Sequence, residues 1–84
     1  MKTFSFTLFM AGDYDDYEEN SAKLYEVIDD ATLGWQNEMY KLIFDREAES
    51  ELEAVQSAKD DVARSGATVR IIAIAGLQEM PEAQ

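Results

Sequence analysis

The chain has 84 residues, 46% of them hydrophobic, and its eighteen Asp and Glu against seven Lys and Arg give a formal charge of -11 with no histidine and no cysteine. This length holds one domain around one core, and the charge opposes direct binding to nucleic acid or to an anionic membrane. The missing residue types exclude a Ser-His-Asp triad, a thiol nucleophile, disulfides and cysteine zinc sites, and a cysteine-free chain suits a reducing, cytoplasmic location.

From Lys2 to Met10 apolar and polar residues alternate, with Phe4, Phe6, Leu8 and Met10 on one side and Thr3, Ser5, Thr7 and Phe9 on the other. That period of two predicts a first strand. Lys2 is the one basic residue ahead of the apolar positions, and the segment is too short and too polar for a leader or a membrane span. Gly12 and an acidic run end it. Asp16 with Glu19 three residues on predicts the N-terminus of a first helix, whose stripe of Tyr17, Ser21, Leu24, Tyr25 and Ile28 should face the core.

Ala31–Trp35 and Met39–Asp45 are predicted strands joined by a polar turn at Gln36-Asn37-Glu38, with Tyr40, Leu42 and Phe44 inward. The second of these strands should end at Asp45, and Arg46-Glu47-Ala48-Glu49 lead to the next element. Ser50-Glu51-Leu52-Glu53 is a capping box, followed by a helix with Leu52, Val55, Ala58 and Val62 as its buried stripe and Gly66 as its C-cap. Thr68–Ala75 is the most β-prone stretch and should end at Gly76. Residues 1–76 therefore form one domain and 77–84 a flexible tail.

The order β-α-β-β-α-β predicts an α+β, ferredoxin-like domain: a four-stranded sheet with both helices on one face. The first and third strands should lie side by side in the centre, running parallel, with the second and fourth at the edges. The bare face would carry Thr3, Ser5, Thr7, Phe9, Met39, Lys41 and Ile43, and an apolar patch of Phe9, Ile43 and Ile72 or Ile74.

Catalysis is not expected. The usual general base and the best nucleophile are absent, and a domain this small has little room for the deep pocket that paired carboxylates would need. The fold also houses phosphatases and RNA-binding domains, but Ala11-Gly12-Asp13-Tyr14-Asp15 after the first strand would repel phosphate, and the bare face offers only Phe9 for base stacking. Asp13, Asp15 and Asp16 do not begin an EF-hand loop, since Glu18 stands where glycine is required and Leu24 where a bidentate Glu is required. No cofactor or metal is expected.

Most of the acids fall in two blocks, Asp13–Asp30 and Asp45–Glu53. Helical residues three or four apart have Cβ atoms about 5–6 Å from one another, a spacing on which a row of carboxylates can imitate a row of phosphates. Asp13, Asp15, Asp16, Glu18, Glu19, Glu26, Asp29, Asp30, Glu47, Glu49 and Glu51 are the candidate contacts, together with Tyr14, whose ring in the acidic loop suits an interface. Tyr17, Tyr25 and Tyr40 match core stripes, and Trp35 should be partly buried. The bland alternative is that the acids only keep the domain soluble.

Three stretches, Val27-Ile28-Asp29-Asp30-Ala31-Thr32-Leu33-Gly34, Phe44-Asp45-Arg46-Glu47-Ala48 and Ser57-Ala58-Lys59-Asp60-Asp61-Val62, resemble a scattered set of short bacterial proteins with the same order of elements; the resemblance implies a fold and brings no activity. In size and acidity the chain also resembles small phage-encoded anti-CRISPR proteins. That second resemblance implies an inhibitor whose partner is a basic nucleic-acid-binding protein or complex with a Lys- and Arg-lined groove. The alternative is a homo-oligomeric or antitoxin-like accessory protein that dimerises through the bare sheet face or an edge strand.

Overall fold

The computed structural model describes residues 1–81. Its elements are β1 (Lys2–Ala11), a 3-10 turn (Tyr14–Asp16), α1 (Tyr17–Val27), β2 (Ala31–Gln36), β3 (Met39–Ala48), α2 (Glu51–Ser65) and β4 (Arg70–Glu79). The strands form one sheet in the order β2-β3-β1-β4, the ferredoxin-like arrangement that the order of elements predicts. All neighbouring pairs are antiparallel. The expected parallel pairing of β1 with β3 is thereby corrected: the helical crossover sends β2 along the direction of β1, and the tight β2–β3 hairpin then reverses the chain.

The alternation in β1 decides which face is buried. Phe4, Phe6, Leu8 and Met10 meet Tyr40, Leu42, Phe44 and Ala48 from β3 in a single core closed by Leu24, Ile28, Ala54, Ala58 and Val62. Phe6 lies opposite Phe44 in the β1–β3 register, and their rings stack with centroids 5.0 Å apart. Each such fully buried ring contributes about 1.5–3 kcal/mol relative to exposure.

The hairpin turns on two residues, Asn37 and Glu38, both with positive φ (54° and 63°). That is the type I′ geometry whose twist matches the flanking strands. Asn tolerates it; Glu has no such tolerance, so position 38 carries backbone strain.

Ser50 caps α2 as its capping box predicts, accepting from the Glu53 N–H at 3.2 Å, and Gly66 ends the helix with φ 77°. The phase of α2 differs from the prediction. Ala54, Ala58 and Val62 are buried, whereas Leu52 is 78% exposed. Both stripes satisfy a helical period; the small one wins because alanines let the helix axis approach a sheet already filled by phenylalanines. Tyr25 is similarly displaced from its expected core position, and its hydroxyl instead accepts from the Leu33 N–H at 2.7 Å, fastening α1 to the edge strand β2.

Two further expectations change at the sheet edges. β3 continues past its expected end at Asp45 to Ala48, and β4 continues past Gly76 to Glu79, so residues 77–79 belong to the sheet and not to a tail. Residues 82–84 lie outside the described part. In the β1–β4 register Ile74 opposes Leu8, on the helix side, while Ala73 and Ala75 oppose Phe9 and Thr7 on the bare face. The predicted apolar patch on the bare face therefore lacks Ile74.

Candidate acidic interface

The first acidic block is shaped by the 3-10 turn. Asp13, not Asp16, supplies the cap: its Oδ1 accepts from the Asp15 N–H at 2.9 Å, and Asp16 makes no side-chain cap bond. The loop is anchored from below. Tyr40 donates its hydroxyl to the Asp13 carbonyl at 2.6 Å, Asn20 donates to the Tyr40 hydroxyl at 3.1 Å, and the Asn20 Oδ1 accepts from both the N–H and the hydroxyl of Thr68. The buried Asn20 thus ties the acidic loop to β3 and to the α2–β4 connection. Gly12 is required there, because a Cβ on it would stand 2.7 Å from the Tyr40 ring.

Aromatic rings cover this anchor. Tyr14, 59% exposed, packs on Trp35 and Tyr17 at 4.9 and 5.7 Å, and Tyr17 stacks on Tyr40 at 5.6 Å. Tyr14, Asp15, Tyr17 and Glu18 line a concavity of about 500 Å³. Burial, reinforced by the neighbouring hydroxyls of Tyr25, Tyr14 and Tyr40, raises the Tyr17 phenol above its ordinary value, since each of these makes a tyrosinate less favourable.

The second acidic site surrounds Arg46. Period-two parity places Arg46 on the inward row of β3 with Tyr40, Leu42 and Phe44, and it is only 8% exposed. Its Nε and Nη2 donate to the two carboxylate oxygens of Asp30 at 2.8 and 2.9 Å. Nη2 also donates to Asp61 at 2.8 Å and Nη1 to the Ser57 hydroxyl at 3.2 Å, while the guanidinium lies 4.9 Å over the Phe44 ring. The hydrogen bond to Asp30, with that to Asp61 and the charge of both carboxylates, raises the Arg46 pKa against the opposing effect of burial. This node pins the end of β3 to the α1–β2 loop and to α2.

Around the node Asp29, Asp30, Asp45, Arg46, Glu47, Glu53 and Ser57 line an open cleft of about 520 Å³. Residues of both acidic blocks therefore meet here: Asp29, Asp30 and Glu53 on the helix side, with Asp45 and Glu47 at the rim of the cleft, since they pair with Ser5 and Thr3 and so project from the bare-face row of β3. Arg46, the one basic residue lining this cleft, is already engaged. Among the described residues Asp29, Asp45, Glu47 and Glu53 make no ion pair, whereas Asp30 pairs with Arg46 and Glu19 with Lys23 at 3.2 Å.

Of the twelve candidate contacts, Asp29, Asp30 and Glu47 come together at the cleft, and Asp30 serves the fold. Asp13, Tyr14, Asp15, Asp16, Glu18 and Glu19 gather at the opposite end of α1, a helix of eleven residues and hence about 16 Å long. Glu26 is exposed on α1 between the two sites and Glu49 on the β3–α2 connection. Glu51 turns away, lining an apolar groove with Leu52, Val55, Ile74 and Leu77. Sequence reasoning missed Asp45 and Glu53 as cleft acids, and Asn20, Arg46 and Asp61 as their supports; the inward parity of position 46 was a usable signal for the arginine.

Among the described residues no group of three acidic side chains is arranged to hold a metal ion, and no helix is long and apolar enough to cross a membrane. No family model matches the chain, and comparison with curated proteins and with solved structures gives no match.

Proposed function

We propose that the chain is a protein-binding domain that offers the carboxylates of its cleft to a basic, nucleic-acid-handling protein and so competes with the polynucleotide for the partner's groove. The observation that carries this reading is the convergence of both acidic blocks on one concavity whose only lining cation is buried and saturated. Unpaired carboxylates held together cost self-repulsion, which a cationic partner would relieve. The acidic site of the 3-10 turn, at the far end of α1 from the cleft, extends the same field and adds Tyr14 as an aromatic contact. The small phage-encoded inhibitors that the chain resembles in size and acidity supply a precedent for such a role, and not evidence of it.

The test is capture of cell proteins on the immobilised domain, with duplex DNA and then salt as competitors. Recovery of a nucleic-acid-binding protein that DNA displaces and that a variant carrying Asp29→Lys, Asp45→Lys, Glu47→Lys and Glu53→Lys no longer retains would support the proposal. Retention that is indifferent to DNA, or equal retention by the variant, would overturn it.

A further inference from the structure

The edge strand β4 is hydrogen-bonded to β1 on one side only. It is ten residues long, about 33 Å at ~3.3 Å per residue, and nearly all of it is exposed. Between Arg70 and Glu79 it reads IIAIAGLQ, with no charge and no proline, in a chain whose charge of -11 otherwise keeps copies apart. Short length, inward charges and proline, with which exposed edges are ordinarily protected, are absent.

The edge does contain two bulges, and their placement is informative. The register with β1 shifts between Ser5 and Thr7 and again between Phe9 and Met10, so the extra residues fall at Gly76-Leu77 and at Ile71-Ile72. Opposite the buried row of β1, the register sets Ile71, Ile74 and Leu77 toward the helix side, and Arg70, Ala73, Ala75 and Gln78 toward the bare face. That order of faces is the same read in either direction from Ile74. Antiparallel pairing of two β4 strands about a two-fold axis at Ile74 therefore sets Ile71 against Leu77 of the other copy, Ala73 against Ala75, Arg70 against Gln78, and one bulge against the other. A one-residue slip would break every one of these matches.

The helices agree with this axis. Two-fold pairing of edges leaves both helix layers on one side of a continuous sheet, with the two α2 helices antiparallel across the seam. Leu52, Val55, Ile74 and Leu77, with Glu51, line an apolar groove of about 340 Å³ beside β4, and Leu52 is 78% exposed there. Lys59 lies two turns along α2 from Glu51 on the same face, about 12 Å away. Both are exposed, and neither makes an ion pair among the described residues. The two-fold operation brings Glu51 of each copy toward Lys59 of the other, so the flanks of the groove are complementary in charge as well as in shape.

From these matches we infer that the chain forms a two-fold homodimer through β4, joining two sheets into one of eight strands and leaving the acidic clefts at its outer ends. Sedimentation equilibrium of the whole chain at micromolar concentration should give twice the chain mass, in 0.5 M salt as in low salt. Ile74→Lys, at a site 40% exposed, places two ammonium groups on the axis and should give a folded monomer by circular dichroism and mass. Because the chain has no cysteine, Ile74→Cys should form an intermolecular disulfide on mild oxidation, while Ile43→Cys on the bare face should not. Glu51→Lys and Lys59→Glu should each weaken the dimer at least several-fold, and the double exchange should restore it. A monomer at all concentrations, a dimer untouched by Ile74→Lys, or cross-linking at position 43 in preference to 74 would overturn the inference.

Discussion

Replacing Arg46 with Met keeps the side-chain volume and stem but removes the charge that three elements share. Two carboxylates would then be left facing one another, with the Asp30 and Asp61 side chains only 27% and 17% exposed, and the Ser57 hydroxyl would lose its donor. Breaking a fully buried pair from one side costs about 3–5 kcal/mol. Since Asp30 and Asp61 retain some water, about 2–4 kcal/mol is the expected loss here. For 84 residues an unfolding entropy of about 2.1 cal/mol/K per residue converts this to a fall in Tm of about 10–25 °C. Thermal unfolding followed by circular dichroism reads the change directly. A double-mutant cycle with Asp30→Asn separates the pair from the surroundings, and the double variant should be less destabilised than the sum of the single ones. A loss below about 1 kcal/mol for Arg46→Met would refute the claim that this node holds the cleft together, since it would place the arginine among ordinary surface ion pairs.

Glu38→Gly should stabilise the chain by about 0.5–1 kcal/mol in urea unfolding, because relief of about 1–2 kcal/mol of left-handed strain exceeds the added chain entropy of glycine; a destabilised variant would contradict the strain at the hairpin. Asn20→Ala strips the Thr68 N–H and the Tyr40 hydroxyl of a partner and should cost about 1–3 kcal/mol, with faster proteolysis at Gly12–Asp16 as the local readout. Gly12→Ala forces a Cβ against the Tyr40 ring and should cost about 1–3 kcal/mol by the same unfolding assay. The Tyr17 phenol is raised above its ordinary 10.0 in the fold, so its contribution is present below pH 10 and is lost as pH rises through the folded value. Stability should therefore decline at alkaline pH, more steeply than for Tyr17→Phe, and absorbance titration at 295 nm should show one tyrosine ionising late.

Much of the fold was legible because its elements are locally consistent. The clean alternation from Phe4 to Met10, the Ser50 capping box and Gly66 each have one structural solution, and together they specify the order of elements and the helix-covered face. What was not legible depended on distances between elements. Leu52 and Ala54 fit a helical period equally well, and only the bulk of the phenylalanines beneath α2 selects the alanine face. The continuation of β3 past Asp45 through Arg46-Glu47-Ala48 was hidden by its charge: a charged run looks like a strand end until Asp30 and Asp61 arrive from other elements to neutralise Arg46. The bulges that lengthen β4 past Gly76 exist only in the register with β1. For the acidic surface, the amount of charge was plain from composition; its division into two sites joined by Glu26, and the conversion of Asp30 from a contact into a support, were properties of the packing.

The most direct test of the proposed role is the salt dependence of binding to a captured nucleic-acid-binding partner, measured for the native chain and for the variant with Asp29, Asp45, Glu47 and Glu53 neutralised to Asn or Gln. Binding through this cleft requires log Kd to rise linearly and steeply with log salt concentration, the slope to flatten in the variant, and duplex DNA to compete. Equal slopes and equal affinities for the two chains, with DNA failing to compete, would contradict it.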